Sequence, residues 1–226
     1  MTTNLLLIHG AWAGRWVWQK ITPEFARLGY RVHAVDLPGN GVDNTPAGEV
    51  NIDTYLWYLS EQIANIEGPL VIVSHSGAGV LATALAEAMP ERIQAVVYIA
   101  GMMLPSGIGF GDLTAELEAD HPEVTGINPY LLWNEDHSVS RVPLIAARDI
   151  FFQDLDDKTA ISAAQQLCAQ PLRGLALMTC WTEENFGRVP RLYIEATQDK
   201  SVTLVAQREM QARVPGAQVV SLDTGH

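Results

Sequence analysis

Ser76 is the residue of this sequence best placed for nucleophilic chemistry. It lies in residues 70–79, which read Leu-Val-Ile-Val-Ser-His-Ser-Gly-Ala-Gly. The apolar run is typical of a strand buried on both faces, and the small residues predict a tight turn into a helix that Pro90 ends. Such a strand, turn and helix form a nucleophile elbow, which requires small residues two before and two after the serine. Ser74 and Ala78 meet this requirement, although glycine is commoner at the first position.

A nucleophilic serine needs a base and an acid, because an isolated elbow motif fits a helix-capping serine equally well. Asp199 follows a predicted strand at residues 191–195, and His226 follows another at residues 217–222. Open α/β sheets place their sites at the carboxyl ends of the strands. We therefore predict a triad in which His226 takes the proton of the Ser76 hydroxyl, while Asp199 orients and stabilises the imidazole.

Attack of a serine on a carbonyl group also needs hydrogen-bond donors for the developing oxyanion. We predict two backbone N–H groups for this role. One belongs to Gly77, directly after the nucleophile, and the other to Ala11, in the loop after the first apolar run. His9 in that loop is predicted to have a structural role, and His75 is predicted to fix the elbow rather than to transfer protons.

The elements that would position these residues alternate between strand and helix. Apolar runs rich in β-branched residues predict the strands, and helical spacing or capping residues such as Asn51 predict the helices. This alternation indicates a parallel sheet covered on both faces, with right-handed crossovers. The predicted strands are residues 5–8, 31–35, 70–73, 93–100, 191–195 and 217–222, and the predicted helices are residues 16–28, 52–66, 79–89 and 203–213.

Residues 101–189, called the insertion below, break this alternation. They contain little strand signal, several helical pieces and many large apolar residues. We predict a helical lid inserted after the strand at 93–100, on a core formed by residues 1–100 and 190–226. A second domain with its own function is disfavoured because the insertion carries no motif. The lid would line an apolar pocket for a small organic ligand. The predicted pocket residues are Trp12, Leu131, Trp133, Phe152, Met178 and Trp181.

Composition narrows the classes of partner. Fourteen basic residues against 26 acidic ones give a net charge of −12, which disfavours nucleic acids and anionic membranes. Cys168 and Cys180 indicate neither a disulfide framework nor a metal site. His121 and His137, each beside an aspartate, lack the spacing of metal ligands, and we expect solvated loops there. The first residues show no signal or membrane segment, so we expect a cytoplasmic protein.

The sequence resembles the α/β-hydrolases of the plant methylesterase and hydroxynitrile lyase group and their bacterial esterase relatives. The resemblance covers nearly the whole chain and is weakest in the insertion. It rests on Leu-Leu-Leu-Ile-His-Gly-Ala-Trp at residues 5–12, Gly-Tyr-Arg-Val-His-Ala-Val-Asp-Leu at 29–37, Ser-His-Ser at 74–76, the segment 181–200 and Asp-Thr-Gly-His at 223–226. It implies the α/β-hydrolase fold and no cofactor, and it assigns the acid of the Thr-Gln-Asp-Lys loop to Asp199.

The same resemblance also distinguishes the lyases of this group from its esterases. The lyases of this group are similar in having Thr after the first-loop histidine and Glu before the nucleophile. Gly10 and His75 stand there in this chain, as in the esterases. We therefore predict a serine carboxylesterase that hydrolyses small esters with apolar or aromatic groups through an acyl-enzyme on Ser76. A hydroxynitrile lyase and a non-catalytic ligand receptor are the alternatives, and monomer and homodimer both stay open. The resemblance also implies a helix after His226, so we expect the sequence to continue.

Overall fold

The computed structural model describes residues 2–226, in which strands and helices alternate at both ends of the chain. In chain order the elements are β1 (Asn4–Ile8), α1 (Thr22–Arg27), β2 (Arg31–Ala34), α2 (Ile52–Ala64), β3 (Leu70–His75), α3 (Ala78–Ala88), β4 (Ile93–Ile99), α4 (Phe110–Leu117), β5 (Leu132–Trp133), β6 (Val139–Arg141), α5 (Leu144–Ile150), α6 (Asp157–Ala164), β7 (Gln170–Pro171), α7 (Leu172–Leu175), β8 (Arg191–Ala196), α8 (Leu204–Arg213) and β9 (Gln218–Leu222).

Six strands form one sheet in the order β2-β1-β3-β4-β8-β9. Every neighbouring pair in it is parallel. The predicted parallel sheet with helical crossovers is therefore confirmed. Because the strands all point the same way, the residues that follow β1, β3, β8 and β9 lie at one edge of the sheet, where a site can be assembled.

The two faces of the sheet bury alternate side chains. Leu6 and Ile8 of β1 belong to the main core, which also contains buried residues of α2, α3 and α8. Leu5 and Leu7 point to the opposite face, where Trp18 packs on them. This period of two explains why β1 reads as a continuous apolar run, since both of its faces are covered.

Two local predictions had different outcomes. The helix predicted at residues 16–28 is divided into a 3₁₀ turn at Arg15–Trp18 and the short helix α1. Pro23 lies in the first turn of α1 and has no N–H to donate to the turn before it, so the helix starts anew there. The N-cap predicted at Asn51 is present, because its side chain accepts the N–H of Thr54 at 3.0 Å.

The insertion contains helices α4 to α7 and a small antiparallel sheet of order β5-β6-β7. Its strands have only two or three residues each, too few for a periodic sequence signal, so the sheet was not predicted. Ser140 of β6 pairs with Gln170 of β7. The division of the chain into a core and a lid remains a prediction. Among residues 2–226, none of the helices has the length and apolar character needed to cross a membrane.

Candidate active site

Ser76 lies at the turn between β3 and α3, with φ at +54°. Non-glycine residues rarely adopt this left-handed region, and such strain is typical of a nucleophile elbow. The turn is held by the end of β4 and the residues after it. The N–H of Ser76 donates to the carbonyl of Ile99 at 3.2 Å, and the carbonyl of Ser76 accepts the N–H of Met102 at 2.9 Å.

Close backbone approaches explain the small residues around the elbow. A Cβ on Gly79 would lie 2.5 Å from the backbone nitrogen of Met102, so only glycine lets α3 pack there. A Cβ on Gly10 would lie 2.9 Å from the Cβ of Ser76. Ser74 is fully buried, and its hydroxyl donates to the carbonyl of Val97 at 3.2 Å. Sequence reasoning found the requirement at Ser74 but missed the tight contacts of Gly79 and Gly10.

Asp199 and His226 form a buried pair. Nδ1 of His226 lies 2.7 Å from Oδ2 of Asp199, and the two side chains are only 7% and 0% exposed. The other carboxylate oxygen accepts the backbone N–H groups of Ser201 at 2.7 Å and Val202 at 2.9 Å. A carboxylate accepts hydrogen bonds, so it keeps the imidazole proton on Nδ1 and leaves Nε2 as the basic nitrogen.

Ser76 and His226 both line a cavity of about 820 Å³, called the histidine-side cavity. His75, next to the nucleophile, packs on the ring of His226 with 4.5 Å between ring centroids. Within residues 2–226, however, no hydrogen bond joins the Ser76 hydroxyl to His226. The structure therefore brings Asp199 and His226 together and places Ser76 on the same cavity wall as His226. Nucleophile–base hydrogen bonds are commonly long before substrate binds and tighten in the complex.

The backbone N–H groups of Ala11 and Gly77 are the donors predicted for the oxyanion. Both residues line a second cavity together with Ser76, of about 590 Å³, called the insertion-side cavity. Neither N–H donates to another group among residues 2–226. The Gly77 N–H is at the N-terminus of α3, where backbone N–H groups have no partner within the helix. Both N–H groups are therefore available to a ligand in this cavity.

His9 holds the loop that carries Ala11. Its Nδ1 lies 2.8 Å from the carbonyl oxygen of Gly10, and its Nε2 accepts the N–H of Leu37 at 3.0 Å. Since Nε2 is an acceptor, the proton is on Nδ1. Complete burial lowers the pKa of His9, outweighing the opposite effects of the Gly10 carbonyl and Asp36. His9 is thus a neutral ring that fixes the first loop.

His75 is also held neutral. Burial, together with the nearby His226 and His9 rings, keeps the pKa of His75 well below its usual value. A neutral ring beside His226 adds no charge that would repel an imidazolium. This arrangement suits the structural role expected for His75 at the elbow.

Comparison with known proteins identifies the family. The sequence profile described as the alpha/beta hydrolase family matches residues 5–226. The chain belongs to the alpha/beta hydrolase family. A pyrethroid hydrolase of Sphingobium wenxiniae is 27% identical over 239 residues, covering 99% of this chain and 81% of that protein. Methylesterase 8 of Arabidopsis thaliana is 24% identical over 232 residues, covering 99% and 82%. The crystal structure of a pyrethroid hydrolase from Sphingobium faniae JZ-2 aligns with a TM-score of 0.86 at 25% identity, covering 100% of this chain and 90% of that one.

In this alpha/beta hydrolase, the insertion-side cavity contains four of the six predicted pocket residues, Trp12, Leu131, Trp133 and Met178. Phe152 lines the histidine-side cavity instead. Trp181 lines neither cavity, and its placement corrects the prediction. Its indole packs at 4.9 Å on Phe186 and donates its N–H to the carbonyl of Leu104 at 2.9 Å, so it belongs to the main core.

The insertion also holds the loops that carry His226 and Asp199. Asp154 accepts the hydroxyl of Thr224 and the N–H of Gly225, both at 2.8 Å, immediately before His226. Partial burial raises the pKa of the Asp154 carboxyl, but these hydrogen bonds outweigh it and leave the pKa lowered. Gln153 donates to the carbonyl of Gln198 at 2.8 Å, next to Asp199. Sequence reasoning missed both residues, because polar residues in a loop carry no local signal.

The remaining ionisable residues show no metal site. Within residues 2–226, no group of three or more His, Cys, Asp and Glu side chains is arranged to hold a metal ion. His121, one of the two histidines weighed as a ligand, lies 3.3 Å from the Glu123 carboxylate on the surface.

Proposed function

We propose that the protein is a serine carboxylesterase with Ser76 as nucleophile, His226 as base and Asp199 as acid. The observation that carries the proposal is the buried Asp199–His226 pair at the edge of the sheet where a strained elbow presents Ser76. A pyrethroid hydrolase and a methylesterase among the relatives support an ester as the substrate.

The reaction would proceed through an acyl-enzyme. The Ser76 oxygen attacks the ester carbonyl carbon as Nε2 of His226 takes its proton, and the N–H groups of Ala11 and Gly77 stabilise the oxyanion. His226 then gives the proton to the alkoxy oxygen, and the alcohol leaves. A water molecule, deprotonated by His226, then attacks the acyl carbon. The imidazolium returns that proton to the Ser76 oxygen as the acyl bond breaks, which releases the carboxylic acid and restores the serine hydroxyl. Asp199 holds the imidazole in the tautomer that both steps need.

The insertion-side cavity supports esters that have apolar or aromatic groups and no anionic group. Its volume of about 590 Å³ is in the range that takes a drug-sized ligand. Leu131, Trp133 and Met178 give it apolar walls, and no Lys or Arg lines it. Asp112 also lines the cavity, so an anionic group would meet a carboxylate there and no cationic side chain among the described lining residues. The net charge of −12 adds to this selection against anions.

The two free cysteines, of which Cys180 is exposed, support a cytoplasmic location for this enzyme. Exposed thiols persist where the compartment is reducing.

The test is turnover of p-nitrophenyl acetate and of larger aromatic esters by the wild type and by Ser76→Ala. We expect Ser76→Ala to reduce turnover to background while the circular dichroism spectrum stays unchanged. Ser60→Ala, which removes a hydroxyl from α2, is the control and should keep full activity. A fluorophosphonate probe followed by mass spectrometry should label Ser76. Absence of both labelling and turnover would favour the ligand receptor, and cyanide release from mandelonitrile would favour the lyase.

A further inference from the structure

A buried ring of polar side chains joins the insertion to the first loop. Gln170 of β7 is 1% exposed, and so are Asn40 and Tyr55. Nε2 of Gln170 donates to the Tyr55 hydroxyl at 3.2 Å, and that hydroxyl donates to Oδ1 of Asn40 at 3.2 Å. Nδ2 of Asn40 then donates to Oε1 of Gln170 at 2.9 Å, which closes the ring. Because each group donates in the same direction around the ring, the hydrogen bonds reinforce one another.

Outside this ring, Gln170 reaches the first loop at the backbone N–H of Trp12. That N–H donates to Oε1 of Gln170 at 3.0 Å. A backbone N–H can only donate, so this contact fixes which end of the Gln170 amide is the oxygen. The amide is then fully used, since its second N–H donates to the carbonyl of Pro171 at 3.3 Å. The ring therefore has one orientation, and its single contact with the first loop is this backbone group.

Trp12 is itself strained, with φ at +58° in the region that non-glycine residues rarely adopt. Three groups of the insertion hold it there. Besides the Gln170 contact, its indole donates to the Ser140 hydroxyl at 3.0 Å, and its carbonyl accepts the N–H of Cys168 at 2.7 Å. The strained conformation thus depends on residues more than a hundred positions away in the sequence.

The two peptide groups on either side of the Ala11 Cα are each held by one side chain. The Gly10–Ala11 peptide is held at its carbonyl by Nδ1 of His9, which leaves its N–H free. The Ala11–Trp12 peptide is held at its N–H by Gln170. The direction of the Ala11 N–H follows from both restraints, because two flanking peptide planes determine the dihedral angles at the Cα between them.

We infer that Gln170 is a positioning residue that holds the Ala11 N–H toward the oxyanion from the insertion. This inference rests on the proposed function. It explains why a neutral amide, rather than a catalytic group, is buried between the insertion and the first loop. Gln170 lines the insertion-side cavity, but its amide is occupied by Trp12, Asn40, Tyr55 and Pro171. Its effect on the reaction therefore passes through the backbone of Trp12.

The first test is kinetic. Gln170→Met keeps the size of the side chain and removes the acceptor of the Trp12 N–H. We expect kcat to fall about tenfold to a hundredfold with KM nearly unchanged, because a misplaced oxyanion donor affects the transition state more than the ground state. Gln170→Glu keeps an oxygen opposite that N–H and should recover most of the lost kcat. If Gln170→Met does not fold, Gln170→Asn, whose amide is one methylene too short to reach Trp12, replaces it with the same expected fall.

The matched control is Thr83→Val. It removes a buried hydroxyl that pairs at 2.8 Å with Tyr98 in the core, away from the first loop. It should destabilise the fold, yet leave kcat within about twofold of the wild type, because it shares no partner with Gln170. An equal fall in kcat for Thr83→Val and Gln170→Met, or no fall for Gln170→Met, would overturn the inference.

The second test does not depend on turnover. Hydrogen–deuterium exchange of the peptide covering residues 9–14 should speed up in Gln170→Met and not in Thr83→Val. Unchanged exchange in Gln170→Met would refute the positioning role even if no ester were hydrolysed. The wild type could hydrolyse no ester while exchange still changes as expected in Gln170→Met. The proposed function would then be wrong, but Gln170 would still be shown to hold the first loop.

Discussion

Two buried glutamines each hold a loop of the proposed site, but their partners differ. Gln207 of α8 holds the loop that carries Asp199, using only nearby backbone. Its Oε1 accepts the N–H of Ala196 at 3.0 Å, and its Nε2 donates to the carbonyls of Ala196 and Val202 at 3.0 and 2.7 Å. Gln170 instead joins groups that are 115 to 158 positions away.

The difference shows that the two halves of the site depend on different parts of the chain. Gln207 holds the loop of Asp199 within the β8–α8 unit, and Gln153 of the insertion adds one hydrogen bond to the carbonyl of Gln198. The first loop reaches its conformation only when β7 of the insertion has packed against it. We therefore expect changes in β7 to weaken oxyanion stabilisation while the Asp199–His226 pair persists.

The largest effect on kcat is expected from removing the carboxylate of Asp199. Asp199→Asn keeps the size of the side chain but removes the carboxylate that sets the His226 tautomer, so kcat should fall by about 10⁴-fold. Measurement of kcat with p-nitrophenyl acetate tests this, and Asp53→Asn in the first turn of α2 is the control. An Asp199→Asn enzyme within tenfold of the wild type would show that Asp199 is not the acid.

A smaller effect on kcat is expected from displacing the first loop, which carries the N–H group of Ala11. Gly10→Ala adds a methyl group whose carbon would lie 2.9 Å from the Ser76 Cβ and 3.1 Å from Nδ1 of His75, so the first loop must shift. We expect kcat to fall about 10²- to 10³-fold, as for loss of one oxyanion donor. The control is Gly48→Ala, since a Cβ there meets nothing within 4 Å. The low-field proton resonance of the His226–Asp199 hydrogen bond should remain, and its loss would contradict the independence of the two halves.

The comparison between Gln170 and Gln207 can be tested further by measuring the free energy of unfolding of a Gln207 variant. Gln207→Met leaves the buried N–H of Ala196 without its acceptor, so the free energy of unfolding should fall by about 1–3 kcal/mol. Urea unfolding measures this fall, with Gln165→Met at an exposed position as the control. Hydrogen exchange should rise in residues 196–202 and not in residues 9–14. A rise in both segments would mean that the loops are coupled.

The smallest effect is a pH dependence of stability that comes from two histidines, His9 in the first loop and His75 next to Ser76. The folded protein keeps His9 and His75 neutral, with pKa values lowered by burial. The unfolded chain takes up those protons once the pH falls below about 6.5, so the stability they contribute is complete above that pH and lost below it. Each histidine contributes a slope of up to about 1.4 kcal/mol per pH unit. His75→Gln should remove one such slope from urea unfolding series at several pH values, whereas Gln165→Met, which changes no titratable group, should not. Equal slopes in His75→Gln and the wild type would contradict this account.

Much of the fold and part of the site could be predicted because the signals are local. The apolar runs gave the strands, and their shared direction brought Asp199 and His226 to one edge. Gln170 and Asn40 could not be found this way, since their partners are far apart along the chain and a glutamine before a proline carries no pattern. The pocket role predicted for Trp181 failed because composition cannot tell a core aromatic from one that lines a cavity.

The stretch Phe151 to Asp154 has a mechanical consequence. It packs on the His226 ring with 5.3 Å between centroids, and it hydrogen-bonds the turns before His226 and beside Asp199. Because Gln170 holds the first loop, two segments of the insertion together hold all three loops of the proposed site, whereas the strands of the main sheet pair with one another without the insertion. At denaturant concentrations too low to unfold the main sheet, we therefore expect the enzyme to lose its activity.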